Sequence, residues 1–168
     1  MERTVVCDAS PLIVLAKAGY LHLLRRVFQR VMAPQSVLTE ILAGPPDDPA
    51  RICVPKLPDF EIVHLEPELS PLAHWRLGKG ETEVIEYARL YPGTVALLDD
   101  LDARKTAMAL GVPVLGTLGL IARALRDDPE LSFKNAVERL RDVGLRIDNH
   151  VITKVINFME NLDRGTPG

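Results

Sequence analysis

Apolar residues fall along the chain in short unbroken runs that alternate with stretches of helical period. "TVVC" at 4–7 is β-branched and reads as a strand. "PLIVLAKAG" follows as a helix, with Ser10 as N-cap, Pro11 in the first turn and Gly19 as the stop. "YLHLLRRVF" has apolar positions at helical spacing, with Arg25 and Arg26 outside them. "RVMAP" is a short strand broken at Pro34, and "QSVLTEILA" a helix closed by Gly44-Pro45-Pro46. The segment 44–60 holds Pro45, Pro46, Pro49, Pro55 and Pro58 and reads as an irregular excursion. "FEIVHL" alternates loosely, as an edge strand does. "ETEVIEYARLY" is a helix, "VALL" a buried strand, and the stretch up to Gly111 a helix. "VPVLG" is a further strand and "TLGLIARAL" a helix ended before Asp127-Asp128-Pro129. "SFKNAVERLRDVG" and "DNHVITKVINFMENL" are amphipathic helices capped by Ser132 and Asp148, and the tail after Leu162 is expected to fray.

Strands alternating with helices, each strand a brief apolar run, predict an α/β fold: a short parallel sheet flanked by helices, with a C-terminal helical extension. At 168 residues the chain is expected to form a single domain, with a core at about 4–125 and terminal helices at about 132–162.

Charge changes the picture little. Twenty Lys and Arg against 23 Asp and Glu give a net charge of −3, which argues against a general-purpose DNA binder. Cys7 and Cys53 lack metal-ligand spacing and are expected to be free, partly buried thiols. No secretory signal and no membrane-spanning run is evident, so a cytoplasmic protein without membrane attachment is expected.

Acid placement changes it more. Ligands of an open parallel sheet bind beyond the carboxyl ends of its strands. Asp8 follows the first strand directly, and Asp99 and Asp100 follow "VALL". Glu81 opens a helix after Gly78-Lys79-Gly80, and Glu40 lies on the helix after "RVMA". Converging carboxylates repel one another unless a cation compensates, and oxygen donors suit Mg²⁺ or Mn²⁺, the usual apparatus of phosphodiester hydrolysis. Arg104 and Lys105 sit one turn beyond the paired acids, where they would meet substrate phosphate or balance those acids; Thr117 after the next strand would touch the site or cap its helix. His22, His64, His74 and His150 have no paired spacing and read as non-catalytic. "GKGET" fails the P-loop pattern because Ala73 stands where its first Gly belongs.

Four stretches, "VVCDASPLIVLAK", "APQSVLTEIL", "LGKGETEVIEYA" and "ALLDDLDARKTAMALGVPVLGTLGLI", together resemble the PIN-domain nucleases, most closely the VapC-like branch of prokaryotic toxin–antitoxin pairs. The resemblance implies a Rossmann-like sheet, a Mg²⁺- or Mn²⁺-dependent endoribonuclease acting on RNA, a homodimer and a small antitoxin partner. It places the family's acids at Asp8, Glu40, Glu81 (in preference to Glu83) and Asp99 or Asp100, with Ser10 positioning a water. Ala9 stands where many members carry Thr, and Leu101 where many carry Arg. The competing expectation is a catalytically degenerate PIN-like module that binds RNA or protein. A receiver domain would want its paired acids after the first strand, where this chain has one.

Overall fold

A computed structural model describes residues 3–65, 76–126 and 132–164. His74, the Asp127-Asp128-Pro129 stop and the last four residues lie outside them. Strands β1 (Thr4–Cys7), β2 (Arg30–Pro34), β3 (Phe60–Val63), β4 (Thr94–Leu97) and β5 (Val114–Leu115) form one sheet in the order β3-β2-β1-β4-β5. Every pairing is parallel. The helices are α1 (Ala9–Ala18), α2 (His22–Val27), α3 (Gln35–Leu42), α4 (Pro49–Cys53), α5 (Lys79–Leu90), α6 (Leu101–Ala109), α7 (Thr117–Leu125), α8 (Phe133–Asp142) and α9 (Asn149–Arg164).

The two β-branched and apolar central strands are dry on both sides: Val5, Val6, Cys7, Ala96 and Leu97 have no exposed surface. That burial is why they read as unbroken apolar runs instead of alternating ones. β3 is half-buried along its whole length, as its place at the sheet edge requires. Helices α1, α2, α7 and α8 pack among themselves, whereas α5 lies along β1, β2 and β4 and packs on α6. Right-handed crossovers put these two groups on opposite faces of the sheet. Among the described residues no helix is long and apolar enough to cross a membrane.

Three local expectations are corrected. The helix after β1 begins at Ala9, so Asp8 and not Ser10 occupies the N-cap; Pro11 sits third in the helix, where a missing N–H is still harmless. The proline-rich excursion contains α4 and a 3-10 turn (Val54–Lys56). Asp48 caps α4 by accepting the Ala50 N–H at 2.8 Å, Pro49 fits the first turn, and Ala50 and Val54 are buried beneath it. Cys53 is exposed; Cys7 is buried, and burial raises its thiol's pKa.

The strand order runs outward from β1 in both directions, so the reversal lies between β1 and β4. A doubly wound sheet opens a crevice at such a point, at the carboxyl ends. Register fixes what stands there. Cys7 is level with Leu97, and Asp8 N–H bonds the Leu97 carbonyl at 3.1 Å. Pro34 is level with Val63. The residues leaving this edge are therefore His64, Gln35, Asp8, Asp99 and Thr117, each from a different strand.

Candidate active site

Asp8 is held at the base of the crevice by the end of β1 and is 7% exposed. Its carboxyl pKa is pushed up to about 7, first by burial and then by the charges of Glu81 and Glu40; the amides of Ala9 and Ser10 oppose the rise. Glu40 lies on α3, which directly follows β2 and packs against α5. Glu81 lies in the first turn of α5, where its Oε2 accepts the Gly78 N–H at 2.9 Å. This bond fixes the acid at the positive end of its helix. Glu83, two residues on, accepts from the Ser36 hydroxyl.

Gly80 lets these segments meet. It is buried in the first turn of α5, and a Cβ there would stand 3.0 Å from Asp8 Oδ1, 3.0 Å from Val37 Cγ2 and 3.9 Å from Glu40 Oε2. The bare Cα admits two carboxylates to one side of the helix. The resulting cavity is about 850 Å³ and takes in Asp8, Glu40, Glu81 and Glu83. Ser10, exposed, stands at its lip, and Lys79 and His64 are its basic lining groups among the described residues.

Asp99 lines a separate, smaller cavity of about 310 Å³ on the β5 side. Its Oδ1 accepts the Thr117 N–H at 2.7 Å and its Oδ2 the Thr117 hydroxyl at 2.6 Å. Thr117 is fully buried and Gly116 takes the N-cap position of α7, so Thr117 orients Asp99 and presents no surface to a substrate. Asp100 caps α6: its Oδ1 accepts from Asp102 N and Ala103 N, both at 2.9 Å. Arg104 lies beside Asp99, with its Nη1 3.0 Å from where a Gly116 Cβ would be. Lys105 is on a different surface, in a cavity with Arg76 and Asp102.

So the crevice gathers Asp8, Glu40, Glu81 and Glu83, brings Asp99 to the next strand end, and leaves Asp100 as a helix cap and Lys105 apart. Among the described residues no three of Asp, Glu, His or Cys close around one point. The donors nonetheless fit a hard divalent cation: carboxylate oxygens reach one cavity from three segments, and a Cβ at Gly80 would press on Asp8 Oδ1.

A family model described as the PIN domain matches residues 4–161. The chain belongs to the PIN-domain family. PIN domains are a nuclease fold and typically use divalent metals. No curated protein matches the chain. The crevice of this PIN domain also holds His64, Gln35, Ser36 and Thr39, which the sequence reading did not single out as site residues. Their signal was position: His64 directly follows β3, and Gln35 and Ser36 directly follow β2.

Proposed function

We propose that this PIN domain is a Mg²⁺- or Mn²⁺-dependent endoribonuclease, of the VapC-like kind that serves as the toxin of a toxin–antitoxin pair. One observation carries the reading: Asp8, Glu40 and Glu81 reach one cavity from three segments, and their mutual repulsion helps raise the Asp8 pKa to about 7. Asp8, Glu40 and Glu81 would hold the ion, while Asp99 stands at the neighbouring strand end with its carboxylate held by Thr117. When bound, a divalent cation supplies charge neutralisation for the phosphodiester and makes the attacking water more acidic. The chain does the rest. The Ser10 hydroxyl at the lip offers a bond to a water, Gly78 and Ser36 hold Glu81 and Glu83 in place, and Lys79 offers a phosphate contact.

Purified protein is expected to cut single-stranded RNA with Mn²⁺ and to stop in EDTA. Asp8→Asn and Glu40→Gln are expected to lower the rate at least about a hundredfold while leaving the circular dichroism spectrum unchanged. Cleavage that survives EDTA and both substitutions would refute the reading. A second reading, RNA or protein binding without cleavage, is favoured by Asp100, which is engaged as a cap; RNA bound but never cut under any metal would establish it. For the antitoxin, a small neighbouring reading frame whose product co-purifies with the protein is the supporting result. The homodimer is supported by exposed Leu90, Tyr91, Leu101, Met108 and Phe158, and sedimentation measures it.

A further inference from the structure

The acidic crevice is larger than an ion needs. Six oxygen ligands at about 30 Å³ each fill about 180 Å³, and the cavity is about 850 Å³. It extends along the sheet edge to Val63 and His64 at the end of β3, with β2 between them and Asp8. Neighbouring strands lie about 4.8 Å apart, so the end of β3 stands about 10 Å from the end of β1, well beyond metal coordination. Pro34 is level with Val63, so Gln35 and His64 leave the edge side by side. Half-buried Val63, Ile13 and Val14 give the same cavity an apolar lining. None of the lining groups contributed by β3, α3 and the residues that directly follow β3 is a Lys or Arg. Gln35 is exposed there. Its Nε2 donates to the Thr39 hydroxyl at 3.4 Å, and that hydroxyl donates to the Gln35 backbone carbonyl at 2.9 Å. The amide carbonyl and the second amide N–H of Gln35 have no partner among the described residues.

We propose that this arm of the crevice takes the base of the nucleotide next to the scissile phosphate, and that Gln35 discriminates among bases there. The proposal rests on the nuclease reading and adds base selection to it. Connectivity decides the occupant. An RNA chain that brings a phosphate to the acids carries its adjoining base with it, and the arm and the acids share one cavity. Charge decides which part of the nucleotide enters. Beside Asp8, Glu40 and Glu81, and without Lys or Arg of its own, the arm repels a second phosphate but not an uncharged base. Val63, Ile13 and Val14 offer apolar contact to the base, and the His64 ring a surface on which it stacks. One amide with a free carbonyl and a free N–H matches an edge that sets an amino donor beside a ring-nitrogen acceptor. That is the pairing glutamine makes with adenine N6 and N7, so adenine is the base expected.

The test is fluorescence anisotropy with 5′-labelled oligoadenylate and oligouridylate decamers in EDTA, on the full chain carrying Asp8→Asn, so that neither cleavage nor metal enters. Oligoadenylate is expected to bind about tenfold more tightly than oligouridylate, the discrimination of one two-point amide pair. Gln35→Ala should weaken oligoadenylate about fivefold to tenfold, leave oligouridylate within about twofold, and so bring their ratio near one. Gln35→Glu keeps the shape but removes the N–H donors, and should collapse the ratio equally. His64→Ala should weaken both ligands, whereas Lys134→Ala, exposed on α8, should move neither. The Gln35 variants should melt with their parent, since the side chain is exposed. A ratio that survives Gln35→Ala overturns the subsite, as does a parent that binds no RNA or shows no preference between the two. Cleavage is measured apart, on the unmodified chain with Mn²⁺ and RNA of mixed sequence. No cut there counts against the nuclease reading alone, and the binding ratio still decides the role of Gln35. Cuts that lie beside adenine, with a bias lost in Gln35→Ala, support both readings; cuts without base bias overturn the subsite and leave the nuclease reading standing.

Discussion

Asp99 and Asp100 are indistinguishable in one dimension, since both follow the same strand and precede the same helix. Their difference is a matter of reach. Asp100 bends back to the two nearest amides of its own helix, whereas Asp99 crosses to Thr117, 18 residues on. Only the second bond depends on β4 pairing with β5, and no local pattern announces it. The same holds for Glu81 and Glu83: position in the first turn was legible, but the Ser36 partner of Glu83 is 47 residues away. Thr117→Val tests the Asp99 clamp. It removes one buried donor and leaves Oδ2 unpaired, so a stability loss of about 1–3 kcal/mol is expected in urea unfolding. Mn²⁺ affinity should fall with it, and Thr117→Ser should restore both. An unchanged Mn²⁺ affinity in the valine variant would separate Asp99 from the metal.

At the scale of elements, helix and strand positions were legible because glycine and proline punctuate nearly every junction. Gly19 closes α1 at φ 76° and Gly111 follows α6 at φ 72°, both in the left-handed region that favours glycine. The same punctuation hid α4, because proline at the start of a helix looks, in sequence, like proline in a loop. It also hid what Gly80 does. In "GKGET" two glycines look like a flexible turn, yet Gly80 is helical and buried, and its role is to let α5 press onto β1 and α3. Gly80→Ala would ordinarily favour a helix by about 1 kcal/mol. Here the new methyl would meet Asp8 Oδ1 and Val37 at 3.0 Å, and overpacking of this kind costs about 1–3 kcal/mol. A net loss of stability in thermal unfolding is expected, together with a weaker Mn²⁺ titration as α5 and its Glu81 are pushed off the sheet. A gain in stability with unaltered Mn²⁺ binding would show that the crevice yields without cost.

For the molecule as a whole, the crevice sets stability against function, and pH and metal together should expose the conflict. Folding buries Asp8 among like charges and moves its pKa from 3.8 to about 7. Between those values the folded protein keeps a proton that the unfolded chain has released. Stability is therefore greatest below about pH 4 as far as this group is concerned, declines as pH rises through the window, and has lost about 4 kcal/mol by about pH 7 and above. Glu61 acts in the opposite sense. The Arg30 guanidinium holds its pKa low, so its contribution is present above the ordinary carboxylate range and is lost only in acid, outside the neutral half of the window. A divalent cation at Asp8, Glu40 and Glu81 replaces the proton and reverses the trend. At a hundred times its dissociation constant it would add about 2.7 kcal/mol to the fold, more at neutral pH than at pH 5 because it binds the ionised acid. Thermal unfolding in EDTA should thus show a melting temperature that drops between about pH 5 and pH 8, a drop that Mg²⁺ or Mn²⁺ repairs. Asp8→Asn should flatten the EDTA curve and abolish most of the repair. A melting temperature independent of pH and of metal in the wild-type chain would mean that the three carboxylates do not share a field, and the active site drawn from their convergence would fall with it.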